Sequence, residues 1–340
     1  MNAILMAGGE GKRLRPIWPD APKPMIPVLG RPAAERALAL LRRSGVSRVR
    51  LTLGYKPDVI RDYFGDGRDF GLELSYSIEE APLGTAGGVR ACARFYGDRD
   101  FLVLSGDAVC DFDLRALTEY HRRMGAALTM ALREVETPTA YGLIVADDRG
   151  RVRGFVEKPD WTRVVTDRVN TGVYAVSPRA MALVPLDAPF DFAKDLIPLL
   201  LERGETVAAL PMAGYWCDIG TPRAYYQCNL DALDGRVKLF EGPDAHPAAA
   251  QLPPEPEAAP VTNPPGPDAV VVPCASRARL MRLLTERCLT EAGADFSDGL
   301  TLPGAHAAPD PAAEAVVVTG GDEKARNRLA ALAGELNDTV

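Results

Sequence analysis

Short apolar runs and amphipathic stretches alternate along the first 200 residues of the chain. Apolar runs at residues 3–6, 101–104 and 207–210, and the segment 49–53 with three aliphatic residues of five, have the length of buried strands, whereas residues 33–45 repeat apolar side chains at helical spacing. Strands that alternate with helices in this way predict a mostly parallel sheet covered on both faces by helices, an α/β fold.

Further elements follow from the same two periodicities. The pattern predicts helices over residues 57–64, 84–95, 114–124, 192–202 and 222–233, and strands over residues 72–78, 127–133, 141–145 and 152–156, with another beginning at residue 170. Asp113, Asp191 and Thr221 precede three of the helices and are predicted N-caps, because their side-chain oxygens can accept from free helix amides. Gly45 is predicted to end the first helix.

The composition changes near residue 240. Ten prolines lie between Pro243 and Pro273, interleaved with alanine and acids, a composition that builds no core. We therefore predict a first domain over residues 1–240, a Pro/Ala-rich linker over 241–268 and a small α+β C-terminal domain over 269–340. Within that last domain the pattern predicts a helix over 277–288, a strand over 316–318 and a helix over 322–336.

Composition and charge narrow the classes of function. The chain has 340 residues, 47% hydrophobic and 25% charged, which is typical of a globular protein. Its net charge of −7 argues against nucleic-acid and anionic-membrane partners. Six cysteines without a C-x-x-C spacing and three scattered histidines predict reduced thiols rather than disulfides or a zinc site. No signal peptide and no membrane-spanning run is recognisable, so we predict a cytoplasmic protein; homo-oligomerisation stays open.

The first candidate for chemistry is a glycine-rich turn after the first strand. Gly8, Gly9 and Gly11 leave backbone N–H groups open to an anion, and Arg13 follows with a guanidinium that can bind two phosphate oxygens. Lys23 stands between two prolines shortly afterwards. The turn taken alone is also compatible with a plain tight turn. The prolines from residue 16 onward exclude the helix that the dinucleotide and Walker motifs require.

Two acids and a second glycine-rich stretch are further candidates. Asp107 follows the strand at 101–104 beside a glycine, where it could hold a divalent metal or merely cap the next loop. Asp218 precedes a predicted helix and, taken without the resemblance given below, would pass for an ordinary acid near the Thr221 cap. Residues 82–88, P-L-G-T-A-G-G, begin a helix whose N-terminal amides could face a ligand, or which is a plain helix start capped by Thr85.

Taken together, these segments resemble the sugar-1-phosphate nucleotidyltransferases, and most closely the mannose-1-phosphate guanylyltransferases. The signature A-G-G-x-G-x-R-L-x-P at residues 7–16 is followed by P-K-P-M-x-P-V at 22–28. P-L-G-T-A-G-G, L-x-G-D, E-K-P, N-T-G-V-Y and W-x-D-I-G-T-P then occur in the family's order within residues 1–235. Lys12 replaces the usual threonine, and Ile17-Trp18 replaces the usual Leu-Thr. The resemblance implies a Rossmann-like, mostly parallel sheet with helices on both faces, the nucleotide-diphospho-sugar transferase fold.

The resemblance also implies roles for individual residues. It implies catalytic roles for Arg13 and Lys23, and Mg²⁺ binding by Asp107 and Asp218. Nucleotide binding is implied for Ala7, Gly8, Gly9, Gly11, Glu80, Gly84, Thr85 and Asp107. Contacts to the sugar phosphate are implied for Gly142, Glu157, Lys158 and Asn170. Taken without the resemblance, Glu157-Lys158 would pass for a solvated surface ion pair.

The implied reaction joins a nucleoside triphosphate and a sugar 1-phosphate into a nucleotide sugar and pyrophosphate. GTP and mannose 1-phosphate, giving GDP-mannose, are the substrates that the resemblance favours. The alternatives are glucose or heptose 1-phosphate with UTP, dTTP or GTP, and a non-catalytic sensor of nucleotide sugars. Residues 269–340 resemble a degenerate last domain of phosphohexomutases without a phosphate loop, for which a structural or regulatory role is expected.

Overall fold

The computed structural model describes residues 1–186 and 188–238, together with residues 270–273, 300–302, 305–309, 315–319, 326–327, 329–331 and 333. The chain divides into two compact units. The first contains Met1–Leu132, Ala146–Val152 and Thr171–Glu257; the second contains Arg133–Val145, Arg153–Asn170 and Ala258–Val340. The predicted domain boundaries at 240 and 268 lie outside the described residues.

The strands follow the apolar runs closely. Their bounds are β1 Asn2–Met6, β2 Pro27–Val28, β3 Arg31–Pro32, β4 Arg48–Leu53, β5 Glu73–Ile78, β6 Phe101–Ser105, β7 Ala108–Cys110, β8 Leu128–Glu134, β9 Gly142–Ala146, β10 Val152–Glu157, β11 Arg168–Val176, β12 Val207–Pro211, β13 Trp216–Asp218, β14 Val270–Pro273, β15 Leu300–Leu302, β16 Ala305–Pro309 and β17 Ala315–Thr319.

The helices also follow the predicted pattern. Their bounds are α1 Ala33–Arg43, α2 Pro57–Phe64, α3 Gly84–Ala91, α4 Ala93–Tyr96, α5 Leu114–Met124, α6 Pro178–Met181, α7 Ile197–Glu202 and α8 Pro222–Leu233, with a π-helix over Phe192–Leu196 directly before α7. The helix predicted over 84–95 is therefore two helices that meet at Cys92. In the described part of the chain, no helix combines the length and apolar character that crossing a bilayer requires.

The first unit is built on a sheet with the strand order β12-β8-β11-β6-β1-β4-β5. Strand β1 runs parallel to β4 and β6, so that Ala3 lies opposite both Val49 and Leu102. Strands β4 and β5 are also parallel, as are β8 and β12, whereas β11 runs antiparallel to β6. Ala3, Ile4 and Leu5 are fully buried, so both faces of β1 are covered. The predicted mostly parallel sheet with helices is confirmed.

The second unit contains two antiparallel pieces. Strand β9 is the neighbour of β10, and its Leu143 lies opposite Val169 of β11. Strands β14, β17, β16 and β15 form an antiparallel sheet in that order, so the strand predicted over 316–318 is confirmed as β17. Strands β14, β15 and β16 were not predicted. The helix predicted over 277–288 lies outside the described residues, and the helix over 322–336 is described only at residues 326–327, 329–331 and 333, which are helical.

Two of the three predicted N-caps are present. Asp113 accepts from the amides of Arg115 and Ala116, and the hydroxyl oxygen of Thr221 accepts from the amide of Ala224 at 3.2 Å. The prediction that Asp191 caps its own helix is wrong, because no side-chain cap bond is present there. The physical reason is a competing partner, which is described with the site below.

Candidate active site

The glycine turn begins where β1 ends, at the carboxyl edge of the parallel strands. The amide of Ala7 donates to the carbonyl of Thr52 at 2.9 Å, and the amide of Lys23 donates to the carbonyl of Gly9 at 3.2 Å. Gly11 has φ +70°, and a Cβ at this position would lie 3.0 Å from the Cβ of Lys23. The main chain of Lys23 is therefore packed directly against the turn, which joins the two halves of the sequence signature.

A hydrophobic cluster anchors the segment between the turn and α1. Leu14, Ile26 and Val28 are fully buried in it together with Ile219 and Tyr225. The residues that depart from the family pattern, Ile17-Trp18, pack against the same cluster, and the Trp18 ring meets the Tyr225 ring edge-on at 6.4 Å between centroids. The apolar replacement thus fits this chain, because the loop is held by packing against α8 and β13.

The two candidate metal-binding acids are brought together by a short antiparallel strand pair. Strands β7 and β13 pair with Ala108 opposite Asp218, and the amide of Ile219 donates to the carbonyl of Asp107 at 3.3 Å. Residues remote in sequence therefore present adjacent carboxylates.

Lys23 bridges these two carboxylates. Its Nζ lies 2.5 Å from Oδ2 of Asp107 and 2.9 Å from Oδ1 of Asp218, and the lysine residue is 8% exposed. Burial by itself lowers the pKa of Lys23, but the two carboxylates outweigh it and the pKa is raised. Burial likewise acts to raise the pKa of Asp107, but the Lys23 ammonium and a hydrogen bond from Ser105 bring it below its ordinary value. The two ion pairs of Lys23 and the hydrogen bond from Ser105 to Asp107 therefore all favour the charged forms of these side chains.

Sequence reasoning missed the residues that hold Asp107 and Asp218 in place. The hydroxyl of Ser105 donates to Oδ1 of Asp107, which leaves Oδ2 for Lys23. A Cβ on Gly172 would lie 3.1 Å from the Cβ of Ser105, and the carbonyl of the preceding Thr171 accepts from the Trp216 indole at 3.0 Å. Thr171 and Gly172 thereby support the strand ends that carry both acids. The sequence does contain an indication of this role for Ser105, because a hydroxyl two residues before an aspartate is close enough to donate to its carboxylate.

Arg13 lies beside Asp218. It belongs to a short 3₁₀ helix that is anchored by the buried side chain of Leu14. A Cβ on Gly220 would lie 2.9 Å from Nη2 of Arg13 and 3.0 Å from Oδ1 of Asp218. Gly220 therefore leaves the room in which the guanidinium and the carboxylate approach each other, a role that the sequence analysis did not assign.

The neighbouring basic residues form ion pairs with an acid, whereas Arg13 does not. Glu10 forms ion pairs with Lys12 at 3.2 Å and with Arg15. No ion pair joins Arg13 to an acid within 4.0 Å among the residues that the structure describes. Arg13 is exposed, so its guanidinium remains accessible to an anion in solution.

The second glycine-rich segment does not offer the free helix amides that were expected. The amide and the hydroxyl of Thr85 both donate to Oδ1 of Asp191 at 3.0 Å, and the amides of Ala86 and Gly87 donate to the carbonyl of Phe190 at 2.8 and 2.9 Å. The first turn of α3 is thus satisfied internally by the segment before α7. Helix α3 begins at Gly84, so Thr85 lies inside it and is not the cap that the alternative interpretation of this segment required.

We expect Gly84→Ala to destabilise the protein strongly. Gly84 has φ +72°, and its added Cβ would lie 2.7–2.9 Å from backbone atoms of Phe190, which cannot move aside as a flexible side chain would. Left-handed strain and overpacking together should lower the free energy of unfolding by roughly 3 kcal/mol, measured by urea denaturation. Gly125→Ala is the control, because Gly125 has φ +55° in the left-handed region with no described atom within 4 Å of its added Cβ. Equal losses in both variants would contradict the packing argument.

Two neighbouring acids, Glu79 and Glu80, precede this segment and differ in burial. Glu80, which the resemblance selected, is exposed, whereas the neighbouring Glu79 is half-buried. The carboxylate of Glu79 accepts from the amide of Leu83 at 3.1 Å and faces Gly88 so closely that a Cβ there would lie 2.3 Å from Oε1. Burial raises the pKa of Glu79. Glu79 therefore fixes the loop that leads into α3.

The four residues selected for the sugar phosphate belong to the second unit. Gly142 and Glu157 lie together, since a Cβ on Gly142 would be 2.8 Å from Oε2 of Glu157. Lys158 follows the end of β10, is exposed, has φ +42° and donates its amide to the carbonyl of Tyr141 at 3.0 Å. Asn170 lies within β11. Within this unit, Gly142 begins β9 and Glu157 ends the neighbouring β10.

The carboxylate pair suits a magnesium ion. No group of three or more His, Cys, Asp or Glu side chains with metal-binding geometry occurs in the described residues. Mg²⁺ is commonly held by one or two carboxylates, with substrate phosphates and waters completing its shell. Oxygens of Asp107 and Asp218 already meet at one cation, the Lys23 ammonium, so their arrangement fits a cation that the substrate helps to bind.

A cavity of about 660 Å³ lies elsewhere, at the amino-terminal edge of the sheet. Its lining includes Asn2 at the start of β1, Arg48 at the start of β4 and Asp100 before β6. The predicted site residues are not part of that lining. The candidate site is therefore identified by its charged side chains at the carboxyl edge of the sheet and not by the size of a cavity.

The fold and this cluster define a class: α/β proteins whose ligands bind beyond the carboxyl ends of their strands. The chain belongs to the nucleotidyl transferase family, whose model matches residues 2–235. The recognition of the family from its sequence motifs is thereby confirmed.

Relatives in this family carry different names. A UTP–glucose-1-phosphate uridylyltransferase of Synechocystis is 35% identical over 256 residues, covering 72% of this chain and 66% of that protein. A mannose-1-phosphate guanylyltransferase of Mycobacterium tuberculosis is 34% identical over 236 residues, covering 69% of this chain and 65% of that protein. The chain thus spans just under two thirds of the length of these curated relatives.

Two solved structures have a similar fold. HddC from Yersinia pseudotuberculosis, complexed with GMP-PN, is 30% identical, with a TM-score of 0.59 over 68% of this chain and 99% of that one. A putative glucose-1-phosphate thymidylyltransferase from Bacillus anthracis shares the fold, with a TM-score of 0.62 over 69% of this chain and 96% of that one, at 24% identity.

Proposed function

We propose that the protein transfers a nucleotidyl group from a nucleoside triphosphate to a sugar 1-phosphate, releasing pyrophosphate. The observation that carries this proposal is the juxtaposition of a phosphate-binding type of turn, an accessible Arg13 and the Lys23-bridged pair of Asp107 and Asp218 in a member of the nucleotidyl transferase family. An in-line displacement at phosphorus asks the protein mainly for positioning and charge neutralisation, and these are the groups that supply both.

Each group has a defined task in this proposal. The turn formed by Ala7, Gly8, Gly9 and Gly11 holds the triphosphate through its amides, and Arg13 stabilises the negative charge that develops on the departing pyrophosphate. Lys23 orients the reacting phosphates. Asp107 and Asp218 would hold magnesium, which supplies charge neutralisation at the phosphate oxygens when it is bound.

The remaining predicted residues bind the nucleoside and the sugar phosphate. Glu80, Gly84 and Thr85 are proposed to lie along the nucleotide, with Gly84 and Thr85 acting through the shape of the α3 start that they stabilise. In the second unit, Lys158 would neutralise the phosphate of the sugar, while Glu157 and Asn170 would bind its hydroxyl groups next to Gly142.

The proposed substrates are GTP and mannose 1-phosphate. The name of the Mycobacterium tuberculosis relative and the GMP-PN complex of HddC support a guanine nucleotide, and the name of the Synechocystis relative keeps uridylyl transfer to glucose 1-phosphate as the alternative. Pocket shape and hydrogen bonds discriminate such substrates: a missing methylene changes the rate by about 10- to 200-fold, whereas a lost hydrogen bond to a substrate OH or NH changes it by about 10⁴-fold or more.

Pyrophosphate release tests the proposal. The full chain, with Mg²⁺, is assayed with GTP, UTP, dTTP, CTP and ATP against the 1-phosphates of mannose, glucose and a heptose, with Asp218→Asn protein prepared in parallel to exclude contaminating enzymes. We expect release with GTP and mannose 1-phosphate. Release with a different pair would correct the substrate and keep the chemistry. A folded protein that releases nothing but binds a nucleotide sugar would replace the proposal with the sensor interpretation.

A further inference from the structure

We propose that Lys23 is an internal cation that occupies the carboxylate pair of the free protein and must leave it before a divalent metal binds there. Nucleotide and metal would then bind with positive coupling, because the phosphates of the nucleotide provide the ammonium with another acceptor. This inference rests on the proposed assignment of Asp107 and Asp218 as metal ligands.

The first step of the argument is that one place cannot hold both cations. The ammonium contacts Oδ2 of Asp107 and Oδ1 of Asp218, so it stands between the oxygens that would have to turn towards a metal. Mg²⁺ binds oxygen at about 2.0–2.1 Å and tolerates little distortion. A dication in front of the same oxygens would repel the ammonium at contact distance, and the side chain of Lys23 would have to move away.

The second step is that Lys23 can move without the rest of the site. Its main chain is held on both sides: its amide donates a hydrogen bond to the carbonyl of Gly9, and the amide of Ile26 donates to the carbonyl of Lys23 at 3.2 Å at the end of the 3₁₀ helix Lys23–Met25. Its Cβ packs against Gly11 of the turn that is proposed to hold the triphosphate. Rotation about the side-chain bonds alone therefore takes Nζ from the carboxylates towards phosphates bound at the turn.

The third step is that the carboxylates keep their places when the lysine leaves. Ser105 donates to Oδ1 of Asp107, and the β7–β13 pairing fixes the backbone next to Asp218. Two carboxylates and one ammonium carry a net charge of −1, which becomes −2 without the ammonium. The pair therefore attracts a dication most strongly at the moment when the nucleotide has drawn the lysine away.

Binding of Mn²⁺ to the nucleotide-free protein tests the inference without any turnover. Mn²⁺ is titrated by electron paramagnetic resonance into wild-type protein, Lys23→Met and Lys23→Arg. We expect Lys23→Met to bind Mn²⁺ at least about tenfold more tightly than wild type, within the usual range of coupling between sites. Lys23→Arg should bind as weakly as wild type, because it retains a cation. Asp107→Asn combined with Lys23→Met should abolish the tight site.

Two controls keep the result interpretable. Lys56→Met removes a lysine that also bonds an aspartate, Asp20, at an exposed position, and should leave Mn²⁺ binding unchanged. If Lys23→Met unfolds because its carboxylates repel each other, Mn²⁺ should raise its melting temperature far more than that of wild type. Equal or weaker Mn²⁺ binding in folded Lys23→Met, or tight binding in Lys23→Arg, would overturn the inference. Neither outcome depends on whether the substrate panel shows activity.

Discussion

Replacing Arg13 by alanine is expected to lower turnover by about a hundredfold or more, as happens in other active sites when a preorganised hydrogen-bond donor that stabilises developing negative charge is removed. Arg13 lies beside Asp218 at the glycine turn, it is exposed, and it has no ion-pair partner within 4.0 Å among the described residues. Its guanidinium is therefore available for charge that appears on pyrophosphate during the reaction. Because this charge develops as the bond breaks, kcat and kcat/KM should fall together in a pyrophosphate-release assay.

Arg15→Ala is the control for this variant. Arg15 carries the same charge two residues later but is paired with Glu10, so its removal should change kcat by less than about threefold, as expected for an exposed pair. Arg13→Lys should recover only part of the activity, because an ammonium does not reproduce the two-oxygen contact of a guanidinium. An unchanged rate in Arg13→Ala would remove the basis of the assignment.

Asp218→Asn is expected to reduce turnover by roughly a thousandfold and to raise the Mg²⁺ concentration required for half-maximal rate. The substitution keeps the size of the side chain but removes one of the two charges that face the Lys23 ammonium. A neutral amide is a much weaker ligand for a hard dication than a carboxylate. Initial rates measured across a series of Mg²⁺ concentrations report both effects.

Asp111→Asn separates a metal role from a structural one. Asp111 lies close to Asp107 in sequence, but its carboxylate accepts from the amides of Tyr215 at 2.7 Å and Lys238 at 3.0 Å. Its substitution should lower the melting temperature while the Mg²⁺ dependence stays that of wild type. If Asp111→Asn and Asp218→Asn had the same profile, loss of folding stability would explain both, and the metal assignment of Asp218 would be wrong.

Much of the fold was predictable because its determinants are local. The buried run at residues 3–6 and the helical spacing over residues 33–45 were recognised as β1 and α1, since burial on both faces and helical amphipathicity leave different periodicities. Asp113 and Thr221 act as caps because a cap needs only amides of the following turn. Such features involve residues within a few positions of each other.

The predictions failed where a residue had a more distant partner. Asp191 had a suitable position for capping its own helix, yet its carboxylate bonds Thr85, which belongs to a helix that begins more than 100 residues earlier. The same contact occupies the start of α3, whose amides the sequence left open for a ligand. Propensity ranks the local partner first, and only the folded chain shows which partner is nearer.

The candidate site likewise combines features that depend on local sequence with features that depend on contacts between distant segments. By itself, the sequence determined which residue types are present: the glycine turn, Arg13 and Lys23 are read in one continuous signature, and Asp107 and Asp218 each follow a strand or precede a helix. The tertiary structure alone decided that both acids meet at the Lys23 ammonium, because that meeting depends on the pairing of β7 with β13. Charge and hydrogen-bonding capacity belong to residues, whereas the distance at which charges act is set by chain segments that the sequence keeps far apart.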